Sequence, residues 1–130
     1  MKLFGFYIIL LMKKTLIIGA TTNPDRFAYK ATMKLVKYGH SVFLLGQKKG
    51  EVCNVEIQSQ LFSIDNLHTV TMYVRPDNQE MYYDYILSLK PHRVIFNPGT
   101  ENPDFYKILK KNNIIVEEEC ILVMLSLGIY

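Results

Sequence analysis

Cysteine is scarce in this chain, and the two present, Cys53 and Cys120, stand far apart with no C-x-x-C spacing. They support neither a zinc site nor a disulfide framework. Both thiols are expected to be free, which suits a reduced, cytoplasmic setting. Long apolar runs are lacking too. The run over residues 3–12 is about half the length needed to span a bilayer. Lys13-Lys14 follows it instead of a small-residue cleavage site, which disfavours secretion. Residues 1–11 are expected to be an N-terminal extension: either Met12 is the natural start, or the segment is disordered or packs as an extra piece. No charge of one sign dominates. The net charge is +3 and the pI is near 8.8. Mild basicity suits an anionic small molecule and falls short of a nucleic-acid binder's footprint. Repeats, low-complexity stretches and linkers are absent.

What is there fits one globular domain. The chain has 130 residues, 49% of them hydrophobic and 21% charged. That composition supports a core and excludes disorder. The domain is expected over residues 12–130.

Residues 15–20 read as a buried parallel strand. Asn23-Pro24 is a helix-start signal, Asn at N-cap and Pro at N1. The spacing predicts a helix to about residue 38, with Phe27, Ala31, Leu35 and Tyr38 on its buried face, Ala28 beside them, and Gly39 at its end. Lys30, Lys34 and Lys37 fall on another face, expected to be solvated. Further strands are predicted at residues 41–45, 68–74, 93–96 and 114–117, and residues 52–57 add an edge piece. A helix is expected from Pro76, burying Met81, Tyr82, Tyr85, Ile86 and Leu89. Asn102-Pro103 repeats the cap signal for a helix burying Phe105, Ile108 and Leu109. Residues 121–125 form a buried segment. Strands alternating with helices imply an α/β fold: a three-layer, Rossmann-like, doubly wound parallel sheet with about five main strands.

In such sheets a ligand sits past the carboxyl ends of the strands. The first of these loops, "GATTNPDR", follows a strand and opens a helix, the setting of a phosphate site. The dinucleotide pattern G-x-G-x-x-G is absent. Gly19 permits a tight turn, and Thr21 and Thr22 add hydroxyls. Arg26 in a first helical turn is misplaced unless an anion is near. After the second strand an NAD site usually has an acid. Here the chain reads Gly46-Gln47-Lys48-Lys49. Lysines there suit a phosphate on the ribose, as in NADP or coenzyme A.

At these residues the chain resembles the small stand-alone CoA-binding domain proteins, which share the nucleotide-binding domain of the succinyl-CoA synthetase alpha subunit. The resemblance runs over nearly all of residues 12–130, through "LIIGATTNPDRFAYKA", "YGHSVFLLG", "TVTMYVRPDNQ", "RVIFNPGTENPDF" and "VEEECILVML". It implies coenzyme A or an acyl-CoA as ligand, with no established catalysis. By the same resemblance Gly19, Ala20, Thr21, Thr22 and Arg26 would meet the pyrophosphate and adenosine. Leu45, Gln47 and Lys48 would meet the adenine or 3′-phosphate. Tyr73 and Val74 would line the far wall, and Asn97, Pro98 and Gly99 the loop nearer the pantetheine. The second loop departs from the synthetase pattern, which has a proline and a single lysine.

No catalytic residue is expected. The synthetase's phosphorylated histidine sits in a separate domain. His40, His68 and His92 here precede strands, at the end of the sheet opposite the ligand. Glu117, Glu118 and Glu119 cannot all face one point on a strand, so they are read as solvated and no metal site is expected. Cys120 lies on the ligand side but follows three glutamates, which disfavours a reactive thiol. Two rivals remain: an NADP-dependent oxidoreductase, and a non-enzymatic interaction or scaffold protein using the lysine stripe. Neither a nucleic-acid nor a membrane partner is expected, and the apolar C-terminal segment suits a homodimer.

Overall fold

The computed structural model describes residues 12–130. The expected N-terminal extension lies outside the described residues. Among the described residues, seven strands form one sheet: β1 (Thr15–Ile18), β2 (Val42–Leu45), β3 (Gly50–Val52), β4 (Val55–Gln58), β5 (Thr69–Met72), β6 (Arg93–Phe96) and β7 (Ile115–Glu118). Four helices accompany them: α1 (Phe27–Lys37), α2 (Tyr83–Leu89), α3 (Pro103–Lys111) and α4 (Ile121–Leu127). The spatial order is β3-β4-β2-β1-β5-β6-β7. All neighbours pair in parallel except β3 with β4. The five main strands stand where expected. The edge piece is instead a hairpin, which raises the strand count to seven. Cys53 and Asn54 make its turn in the left-handed region, a conformation Asn tolerates well.

Successive strand residues point to opposite faces. Ile17, Leu44, Ala28, Ala31, Leu35 and Ile121 form one core layer, beneath α1 and α4. Leu16, Ile18, Leu45, Met72, Phe96, Phe105 and Leu109 form the other, beneath α2 and α3. A strand covered on both sides reads as a near-continuous apolar run, which is why β1 reads TLII without alternation.

Helix α1 buries Ala28, Ala31, Thr32 and Leu35. Full burial of one leucine such as Leu35 contributes roughly 2–3 kcal/mol. Phe27 and Tyr38, expected inside, are 66% and 49% exposed. They lie at the two ends of the helix, Phe27 as its first residue and Tyr38 as its C-cap. Gly39 (φ +86°) ends α1: its N–H donates to Val36 O and that of His40 to Leu35 O, a Schellman pair.

Asn102 caps α3 as expected, its Oδ1 accepting from Phe105 N at 3.2 Å. Asn23 does not cap α1. Its Oδ1 accepts from Asp25 N at 3.0 Å, and its carbonyl accepts from Arg26 N at 3.1 Å. Those bonds close a separate turn, so the helix starts three residues later, with Arg26 at the N-cap. Pro76 likewise opens two short 3₁₀ turns, Pro76–Asn78 and Glu80–Tyr82, before α2. Met81 on the second is 72% exposed rather than buried.

Candidate functional site

The parallel register sets Ile18, Leu45, Met72, Phe96 and Glu118 in one row across the sheet. The next residues, Gly19, Gly46, Tyr73, Asn97 and Glu119, therefore open a common rim at the carboxyl ends. Strand order reverses about β1: β2 lies on one side of it and β5 on the other, all three parallel. That is where a doubly wound sheet leaves its crevice.

Glycines allow the rim loops to touch. Gly19 (φ +98°) backs onto Tyr73: a β-carbon there would stand 3.0 Å from the Tyr73 carbonyl. At Gly46 it would stand 2.3 Å from Ala20 O, and at Gly50 2.5 Å from Thr22 Cγ2. The N–H groups of Gly19 and Ala20 both donate to Leu45 O, at 2.9 and 3.0 Å. These two amides hold the loop to β2 and are not offered to a ligand. Leu45 is 2% exposed; its side chain is core, and only its carbonyl serves the loop.

The open donors lie further along. Thr21 Oγ1 accepts from Asn23 N at 3.1 Å, while Thr22 is exposed. The start of α1 has no side-chain cap and no acidic residue in its first turn. Its first N–H groups and the helix dipole thus face the rim unneutralised. Arg26 stands there exposed, and Gln47 and Lys48 are exposed on the neighbouring loop.

The residues after β5 and β6 divide by face. Tyr73 lies on the α1/α4 side, and burial pushes its hydroxyl pKa upward. Val74 packs into the α2/α3 layer, and its carbonyl accepts from Gln79 Nε2 at 2.8 Å. It therefore does not share a wall with Tyr73. Asn97 is 3% exposed, and both ends of its amide are engaged. Nδ2 donates to Thr71 Oγ1 (2.7 Å) and Met72 O (3.0 Å); Oδ1 accepts from Ile121 N (3.0 Å). It braces the floor. Pro98 is exposed at the rim, and Gly99 N donates to Glu101 Oε1 at 2.8 Å.

The three histidines gather at the opposite end of the sheet. Lys13 N donates to His40 Nδ1 at 3.0 Å, and the rings of His68 and His92 lie 5.0 Å apart. Burial, then the charges of Arg93 and Lys13, hold His68 at a pKa of about 4. Glu117 is not simply solvated, since it pairs with buried Arg93 at 3.3 Å. Nor is Lys34, whose Nζ donates to Leu122 O at 3.1 Å.

Residues 13–126 match the CoA binding domain family. The chain belongs to this family of CoA-binding domains. An uncharacterized protein of known crystal structure shares 50% identity with a TM-score of 0.90, over 92% of this chain and 98% of that one. A Thermus thermophilus protein shares 20% identity at a TM-score of 0.81, over 99% of this chain and 98% of its own. A hypothetical protein from Pyrococcus horikoshii shares 22% at 0.79, over 91% and 84%. The last two share the fold. No curated protein matches the chain.

Phe27 and Leu122 lie at the rim of this CoA-binding domain although the sequence marks them as core. Together with Cys120, they line a cavity beside the glycine loop. Only the exposure of Phe27 could have flagged it, and helical periodicity places that residue inside. Among the described residues no helix is long and apolar enough to cross a membrane.

Proposed function

We propose that this domain binds coenzyme A or an acyl-CoA across the carboxyl ends of β1, β2, β5 and β6, without turnover of its own. The observation that carries this is the start of α1: without a side-chain cap, with no acidic residue in its first turn, and set beside glycine-packed loops. A pyrophosphate at Thr21, Thr22 and Arg26 satisfies those orphan donors. Gly19 and Ala20 shape the loop that presents them. Gln47 and Lys48 stand ready for the adenine and 3′-phosphate. Tyr73, Pro98 and Gly99 border the pantetheine arm, with Asn97 supporting them from below.

The test is isothermal titration with coenzyme A, 3′-dephospho-coenzyme A and NADP. Coenzyme A is expected to bind, and loss of the 3′-phosphate to weaken it by roughly 1.5–3 kcal/mol, the scale of a charge-assisted hydrogen bond. NADP binding as tightly as coenzyme A would favour the oxidoreductase. Failure of all three would leave a scaffold that keeps the fold without the ligand.

A further inference from the structure

A cavity of about 140 Å³ opens between the starts of α1 and α4, lined by Phe27, Tyr73, Asn97, Pro98, Cys120 and Leu122. It adjoins the glycine loop: Phe27 follows Arg26, and Tyr73 backs Gly19. Its lining is mostly apolar and holds no Lys, Arg, His, Asp or Glu. The one amide in it, Asn97, is spent on Thr71, Met72 and Ile121. Phe27 stands at the mouth with 66% of its surface in water, apolar area that an apolar ligand would cover. An apolar cavity of about 150 Å³ is known to hold benzene, so this one has room for roughly six carbons. An anion entering it would lose its hydration and meet no charged side chain in the lining, which is costly.

We propose that this cavity receives the acyl group of an acyl-CoA and selects short, uncharged chains over carboxylated ones and over the free coenzyme. The inference rests on coenzyme A binding at this rim, as in the preceding subsection. Among the described residues, this cavity is where one thioester can be told from another. The nucleotide end sees the same groups in all of them.

The experiment compares free, butyryl-, succinyl- and dodecanoyl-CoA by isothermal titration on the full chain. Butyryl and succinyl have the same number of carbons and differ by a carboxylate, so the pair separates charge from size. Butyryl-CoA is expected to bind about tenfold tighter than coenzyme A, the scale of burying two methylenes. Succinyl-CoA should bind at least about tenfold weaker than butyryl-CoA, and dodecanoyl-CoA should gain nothing beyond butyryl. Leu122→Phe fills the cavity and should abolish the butyryl advantage; Leu122→Ala should move the preference to longer chains. Equal affinity for all four ligands would overturn the inference while leaving coenzyme A binding intact. Succinyl-CoA binding as well as butyryl-CoA would overturn it too. No binding by any of them would sink both the ligand assignment and this inference.

Discussion

Replacing Gly46 by alanine tests whether the rim loops are as tightly joined as their geometry implies. The added β-carbon would stand 2.3 Å from Ala20 O and 3.1 Å from Ile57 Cγ2. Real β-carbons essentially never come within 3.0 Å, so about 0.7 Å must open in a packed site. Neither side yields easily. Ala20 N is bonded to Leu45 O and Gly46 N to Gln58 O. Overpacking of this kind costs roughly 1–3 kcal/mol. For a domain of this size, each kcal/mol lowers Tm by roughly 3–5 °C, so Tm should fall by roughly 3–15 °C. The displaced segment leads directly to Thr21 and Thr22. Because binding constellations tolerate about 0.5 Å of error, coenzyme A affinity should fall by about tenfold or more. Gly39→Ala is the control: φ is +86° there, but nothing lies within 4 Å. It should cost about 1 kcal/mol through backbone strain alone and leave affinity unchanged. Calorimetry and coenzyme A titration on both variants decide the matter. Wild-type Tm and affinity in Gly46→Ala would refute the steric reasoning. Equal affinity loss in both variants would trace the effect to general destabilisation.

Other outcomes follow from the same geometry. Lys48→Ala should weaken coenzyme A binding by roughly 10–100-fold and leave 3′-dephospho-coenzyme A unaffected; equal losses would put the phosphate elsewhere. Asn97→Ala strips partners from Ile121 N–H, Met72 O and Thr71, and should cost about 2–4 kcal/mol in urea unfolding. A loss below about 0.5 kcal/mol would contradict its bracing role. His68 has a folded pKa of about 4 against an ordinary 6.5, so the unfolded chain binds the proton first as pH falls. Its stabilising contribution is intact above pH 6.5 and is lost progressively toward pH 4. His68→Asn should flatten the fall in Tm over that window, and the imidazole NMR midpoint should lie near 4. A midpoint at the ordinary value would sink this account.

The main strands were legible because β1, β2, β5, β6 and most of β7 follow local rules of apolar β-type runs. Helix starts were legible only in part. Asn102-Pro103 and Asn23-Pro24 carry the same signal, yet only the first caps a helix. Asn23 spends its side chain and carbonyl on a turn of its own, a competition that nearest-neighbour patterns do not decide. The rim residues were foreseen as positions, but their division of labour was not. That Leu45 contributes a carbonyl, that Val74 faces the other layer, and that Asn97 has no free amide all depend on partners at least five residues away along the chain. The β3–β4 hairpin was hidden because its strands are short and its turn uses Cys53 and Asn54, without the usual glycine.

That hairpin has a consequence for energetics at a distance. Gly50 opens β3 against the Thr22 side chain, and β4 joins the sheet only through β2. Short edge strands occupy the low end of local stability. A ligand that fixes Thr22 removes freedom from the hairpin as well. Linkage makes the effect reciprocal: whatever factor the closed hairpin contributes to affinity, the ligand returns to hairpin closure. Amide exchange at Gly50, Val52 and Ile57 then becomes a binding gauge, read in the hairpin that borders the site.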